Sequence, residues 1–224
     1  YNASHLFGFF SVFNGDALRS VELTKGGFPA RYGGRLSSVI DLNMKEGNNQ
    51  KYTGEVGVGL ISSRFTFEGP IKKGKSSFMI SGRRTYIDLL IQPIIYAQTG
   101  GNGGYYFYDM NAKFNYILSE RDKLYLSGYF GRDNFYASNK TGNSTSDFSF
   151  GWGNRTVTGR WNHQFNSRLF SNLSVIYSHY DLSIDAVETN GSDKFSLGYV
   201  SDINDYGVKY DFDWRPNPNH LVRY

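Results

Sequence analysis

At 224 residues the chain suits one large domain or two small ones, and an all-β barrel of this length is a single unit. No run reaches the 18 or more apolar residues of a membrane helix, since the nearest, residues 87–97, is broken by Asp88, Gln92 and Pro93. The absence of cysteine excludes thiol catalysis, disulfides and thiolate metal sites, and the net charge of +4 comes from scattered cations whose only doublets are Lys72-Lys73 and Arg83-Arg84, a poor nucleic-acid surface. With 18 Tyr, 18 Phe and 26 Gly against 5 Pro, the composition favours strands. Tyr1 opens the sequence without a charged start, apolar core or small-residue cleavage site, so a secretory signal is expected to lie outside it.

The first fifty residues read as a small module. Asn14 is placed to cap a helical turn over residues 16–19. Strand-like runs over residues 19–25 and 36–45 are joined by a connection whose four glycines, Gly26, Gly27, Gly33 and Gly34, open backbone angles closed to other residues. Residues 46–49 form a polar linker, which sets the expected boundary: 1–49 as one unit and 50–224 as another.

From Lys51 onward, alternating runs are separated by turn chemistry, and eight strands are expected at about 52–60, 64–70, 75–86, 105–118, 123–135, 148–165, 169–184 and 195–214, with a ninth starting at His220. In the clearest run Tyr206, Val208, Tyr210, Phe212 and Trp214 alternate with Asp205, Gly207, Lys209, Asp211 and Asp213, so period two sends an aromatic set and a charged set to opposite faces. Met110, Ala112, Phe114, Tyr116 and Leu118 oppose Asp109, Asn111, Lys113 and Asn115 in the same way. Tight turns at residues 71–74, 119–122, 166–168 and 215–219 alternate with long connections expected at 87–104, 136–147 and 185–194. Short turns at one end and long loops at the other describe an outer-membrane barrel. The first long connection carries a short amphipathic helix over residues 87–98. Adjacent Arg83 and Arg84 must take opposite faces, and one therefore faces lipid; it lies roughly 19 Å from the turn at Lys75, close to the outer rim where an exposed arginine costs only ~0–1 kcal/mol.

The segment Val21-Glu22-Leu23-Thr24-Lys25, then Gly26-Gly27-Phe28-Pro29-Ala30-Arg31-Tyr32-Gly33-Gly34-Arg35, then Leu36-Ser37-Ser38-Val39-Ile40-Asp41-Leu42 resembles the closing segment of the plug in TonB-dependent outer-membrane receptors. The Phe-Pro-Ala-Arg-Tyr-Gly-Gly form is similar to receptors of the Bacteroidetes group, as are Phe67-Glu68-Gly69-Pro70-Ile71 and Ser81-Gly82-Arg83-Arg84-Thr85-Tyr86. The resemblance implies that residues 1–49 are the C-terminal part of a plug and residues 50–224 the N-terminal part of a transmembrane β-barrel. A TonB box, the first half of the plug and further strands would lie beyond this sequence. It implies the bacterial outer membrane as location, active uptake of a scarce nutrient, and a plug remodelled by the TonB complex. The implied partners are outer-membrane lipid, a small-molecule, glycan or peptide ligand held by loops and plug, and a surface lipoprotein. Arg31 and Arg35 would meet lumen carboxylates, for which Glu68, Asp109 and Asp211 are candidates. Eight closed strands leave room only for their own side chains, so the expected fold is all-β, an antiparallel barrel portion that stays open.

No catalytic residue, metal site or cofactor is expected. His5, His163, His179 and His220 lack metal-ligand spacing, no nucleophile-elbow or zinc-protease motif occurs, and Asp211 and Asp213, which share a face, are explained by a wet lumen. Two rival readings remain: a self-contained small outer-membrane barrel acting as adhesin or anchor, and a soluble glycan-binding β-sandwich.

Overall fold

A computed structural model describes residues 4–5, 8–27, 32 and 37–224. The fold is all-β and open. Nine antiparallel strands form one sheet in strict chain order: β5 (Thr53–Val58), β6 (Ser62–Lys72), β7 (Ser76–Thr85), β8 (Asn102–Ile117), β9 (Asp122–Thr141), β10 (Ser144–Asn166), β11 (Leu169–Asn190), β12 (Asp193–Asn217) and β13 (His220–Arg223). Among the described residues β5 and β13 are free edges. Ahead of the sheet lie a two-residue pair, β1 (Ser4–His5) with β2 (Phe10–Ser11), and a hairpin, β3 (Leu18–Lys25) with β4 (Ser38–Met44). Asn14 caps a 3-10 turn over Gly15–Ala17, its side chain accepting from the Asp16 amide at 3.1 Å; β3 starts directly after, so Arg19 is already in a strand.

Two of the three long connections are corrected. Residues 136–147 and 185–194 are extended hairpins whose strands continue to two-residue turns at 142–143 and 191–192. Their Gly, Asn, Ser and Thr content reads as loop, yet the ladder continues through Thr141↔Ser144 and Asn190↔Asp193, and ladder pairing overrides a weak local preference. The first connection does hold a helix, α1 (Ile87–Thr99), and β8 resumes at Asn102. At that level β8 has outrun β7, and α1 packs against β8 with Ile91, Ile95 and Thr99 towards it.

The two faces differ as period two requires. Tyr206 and Val208 are 80% and 73% exposed, and Leu126, Val157 and Val175 lie beside them on the same bare face. Asp109, Asn111 and Lys113 are buried on the opposite face, beneath the N-terminal segment. Arg83 takes this covered face and Arg84 the bare one, where its guanidinium lies over the Tyr106 ring at 5.3 Å.

The apolar set then changes sides. On β12 it runs through Trp214, Tyr210, Val208 and Tyr206 on the bare face, and through Ile203, Tyr199, Leu197 and Phe195 on the opposite one. The β11–β12 register shows no break, so a change in sequence phase and not a bulge moves the set across. Strands β9 to β11 switch at the same rung, Asp109↔Gly131↔Asn154↔Tyr180↔Ile203, whereas β8 keeps Tyr106 and Tyr108 on the bare face and adds Tyr105 and Phe107 on the other. Beyond it the outer face carries Arg132, Asn134, Asp181 and Asp185, while the inner face carries Phe107, Trp152 and Leu182, with Phe10 of the N-terminal segment packed on them.

The linker after β4 crosses β7 at close quarters. Gly47 sits at φ +82, and a Cβ there would meet the Phe78 carbonyl oxygen at 2.3 Å. Gly47→Ala is expected to destabilise the fold by about 2–3 kcal/mol, combining left-handed strain with a backbone clash. Gly142→Ala, at φ +59 in open space, should cost only about 1 kcal/mol. Denaturant unfolding of the two variants checks the order, and equal midpoints would remove the role assigned to the crossing.

Candidate functional site

Alternation places Ser81 and Arg83 of β7, Asp109, Asn111 and Lys113 of β8, and Asp133 of β9 on the covered face, where the N-terminal segment meets them. His5, 1% exposed, is the centre of the contact. Its ring stacks on Phe107 with centroids 4.1 Å apart and planes 2° from parallel. Nδ1 is 2.5 Å from Asp133 Oδ2, and Nε2 is 3.7 Å from Asp109 Oδ2. Arg83 donates to that Asp109 oxygen from Nε at 2.7 Å, with Nη2 2.6 Å away, and also donates from Nη2 to the Ser11 carbonyl at 2.8 Å. The Tyr105 hydroxyl donates to Asp133 Oδ1. Two buried carboxylates of the sheet are thus held by one arginine of the sheet and one histidine of the segment. Charges out of water need such company.

Neutral and weaker contacts extend the seam in both directions. Asn14 Nδ2 donates to Ser81 Oγ at 2.7 Å, and Asp16 pairs with Arg64 of β6 at 2.9 Å. Lys113 Nζ donates to the Met44 carbonyl at 3.0 Å, while Ser77 and Asn115 both donate to the Glu46 carbonyl. The Gly74 amide donates to the Asn49 carbonyl at 3.0 Å, tying the linker to the β6–β7 turn. Between the segment and the wall remains a cavity of about 370 Å³, with Val12, Leu42 and Met44 on one side and Asn111, Tyr129 and Thr156 on the other. Asn111 is buried and its Nδ2 has no protein partner among the described residues. A space of that size holds several waters.

Of the residues singled out from sequence, Asp109 lies in the seam, against His5 and Arg83. Glu68 instead accepts from Thr53 of the neighbouring strand at 2.9 Å, and Asp211 is 3.2 Å from Lys209 of its own strand. Lys25 closes β3, Gly26 and Gly27 turn at φ +70 and +56, and the Tyr32 hydroxyl donates to Asp41 at 2.8 Å. Phe28, Pro29, Ala30, Arg31, Gly33, Gly34 and Arg35 lie outside the described residues, and so does any contact of Arg31 or Arg35 with the wall. The seam residues that sequence reading missed are His5 and Asp133. They are 128 positions apart, and no spacing rule links them. Among the described residues no group of three or more His, Asp or Glu is arranged to hold a metal.

No protein-family model matches the chain, and no curated protein matches it. A solved structure, the siderophore receptor PirA from Acinetobacter baumannii, is similar over 91% of this chain and 46% of its own, at 12% identity and a TM-score of 0.38. The chain therefore spans about half the length of that receptor.

Removing one member of the buried set leaves an uncompensated charge, which costs about 3–5 kcal/mol. Asp109→Ala is expected to release the segment, raising hydrogen exchange over residues 8–18 while leaving β10 to β12 protected. If exchange over those residues stays at the parent rate, the carboxylate does not hold the segment.

Proposed function

We propose that the chain forms part of a TonB-dependent transporter of the bacterial outer membrane, with residues 1–49 the end of its plug and residues 50–224 the first part of its barrel wall. The observation that carries this reading is the pairing of a bare apolar face with a polar face that holds the N-terminal segment through the buried contact of His5 with Asp133 and that of Arg83 with the Ser11 carbonyl. A soluble sandwich would bury its aromatic face; here Tyr206, Val208 and Tyr210 have no protein cover among the described residues. From Tyr206 to Trp214 the bare band spans roughly 19 Å at a strand tilt of ~45°, close to the ~25 Å apolar belt of outer-membrane barrels. At the switch rung the bare face turns polar, where Arg84 and Arg132 lie, so charge begins where hydrocarbon would end.

In this reading the glycine-led motif carries Arg31 and Arg35 to wall carboxylates, with Glu68, Asp109 and Asp211 as candidates, and the His5 seam is a second attachment of plug to wall. Tension from the TonB complex on a more N-terminal segment displaces the plug, and a nutrient held by plug and outer hairpins passes inward. A surface lipoprotein and the similarity to receptors of the Bacteroidetes group belong to the same proposal.

Fractionation of cells making the full-length protein tests the membrane part. The protein is expected in the outer membrane, and Val208→Arg, at ~2–4 kcal/mol for a midplane arginine, should sharply lower the amount assembled. Recovery in the soluble fraction would favour the sandwich. For the plug, Arg31→Ala is expected to raise sensitivity to a large hydrophilic antibiotic, and deletion of TonB should abolish ligand uptake without changing barrel assembly. Assembly with uptake indifferent to TonB would instead mark an anchor or adhesin.

A further inference from the structure

The buried seam turns on an imidazole, and both of its nitrogens meet carboxylates. His5 Nδ1 lies 2.5 Å from Asp133 Oδ2, and Nε2 lies 3.7 Å from Asp109 Oδ2. A neutral imidazole has one N–H and one lone pair, whereas an imidazolium has an N–H on each nitrogen. In the charged ring both N–H groups are therefore turned to acceptors; in the neutral ring one nitrogen presents its lone pair to a negative oxygen. The ring is also stacked on Phe107 with centroids 4.1 Å apart, and an aromatic face attracts a cation.

Three strands of the wall bring charged or titratable groups to this point. From β7 comes Arg83, which donates to Asp109 and to the Ser11 carbonyl and lies 5.0 Å from the centre of the same Phe107 ring. From β8 come Asp109 and Tyr105, whose hydroxyl donates to Asp133. From β9 come Asp133 and Tyr129, with Tyr129 Oη 3.4 Å from Nε2. Gly131 makes room for that hydroxyl, since a Cβ there would meet it at 2.1 Å. Tyr129 can donate to an unprotonated Nε2, but the distance is long for an O–H donor, and the contact is a weak substitute for the lost N–H.

We propose that His5 is a proton-operated latch: with its imidazole charged the N-terminal segment is held on the wall, and with it neutral the hold loosens. The direction follows from the nitrogens. In mildly acid surroundings both N–H groups are present and the segment is docked. As pH rises through the range in which an imidazole ordinarily loses its charge, Nε2 becomes a lone pair facing Asp109, and docking weakens. The latch rests on the plug reading for what departure of the segment does.

Hydrogen exchange of the detergent-solubilised full-length protein, corrected for the intrinsic rate at each pH, tests the latch. Between about pH 6 and about pH 8 exchange over residues 8–18 is expected to rise about tenfold, the difference between a charge-assisted and a neutral hydrogen bond, while β10 to β12 stay protected. His5→Gln keeps a donor for Asp133 but never carries charge, so its exchange should match the parent's alkaline rate at both pH values. Equal protection of the parent at both, or an unchanged pH dependence in His5→Gln, overturns the proposal. Should the variant fail to assemble, the parent alone decides, because His163, His179 and His220 pair with Asp122, Asn204 and Asn217 of the wall and their titration is read in the wall strands. A rise confined to residues 8–18 supports the latch, and a rise confined to the wall overturns it. Loosening with pH in a protein whose uptake is indifferent to TonB sinks the transport reading alone. TonB-dependent uptake with residues 8–18 equally protected at both pH values sinks the latch alone.

Discussion

A strand has only two faces, and an unbroken hydrogen-bonded ladder forces every neighbour to agree on which is which. In β8 to β12 this constraint acts over long strands without a register shift at the rung where the apolar set changes sides. Everything else in the molecule follows from that agreement. Below the rung the polar face needs cover that can satisfy its charges, and the N-terminal segment supplies it; above the rung the apolar face takes the same side, and Phe10 begins to pack on it. A one-residue slip of β8 or β9 would send Asp109 or Asp133 to the bare face and strand its partner in the interior.

The seam shows why the segment is placed so specifically. His5, Arg83, Asp109 and Asp133 come from four different strands, and each is well below half exposed. Hydrophobic contact alone would let a short segment slide along the wall. A slide would take His5 from Asp133 and the Ser11 carbonyl from Arg83, leaving buried polar groups without these partners. The neutral contacts at Ser81, Ser77 and Asn115 then set the path of the chain on either side.

Much of the sheet was legible in the sequence because its strands are long and their alternation is clean, as in residues 205–214. That Arg83 and Arg84 take opposite faces followed from adjacency alone, but which of them takes the bare face did not. The upper hairpins were less legible for a physical reason: Ser, Asn and Gly have weak strand preference, and pairing with an already formed neighbour holds residues 136–147 and 185–194 extended. The phase switch was visible in principle, in Phe195, Leu197 and Tyr199 against Tyr206, Val208 and Tyr210, but it has meaning only once the register is known to be continuous. Of the seam only Asp109 was singled out, and for other partners than the ones it has. A histidine at position 5 and an aspartate at 133 carry no mark of each other, and the candidate arginine contacts of Arg31 and Arg35 lie where the structure describes nothing.

The β3–β4 hairpin has a mechanical consequence. Leu18 pairs with Met44, and the Lys45 amide donates to the Ala17 carbonyl, so the chain enters and leaves the hairpin at the same end. Just past that exit the linker is fastened to the wall at Glu46 and Asn49. A pull from upstream meets the contacts of His5, Ser11, Asn14 and Asp16 with the wall first, and once these give it loads the ladder at its mouth, one rung at a time, like opening a zip. Hydrogen bonds loaded in series yield at far lower force than bonds sheared together, and the linker stays fixed while the hairpin peels.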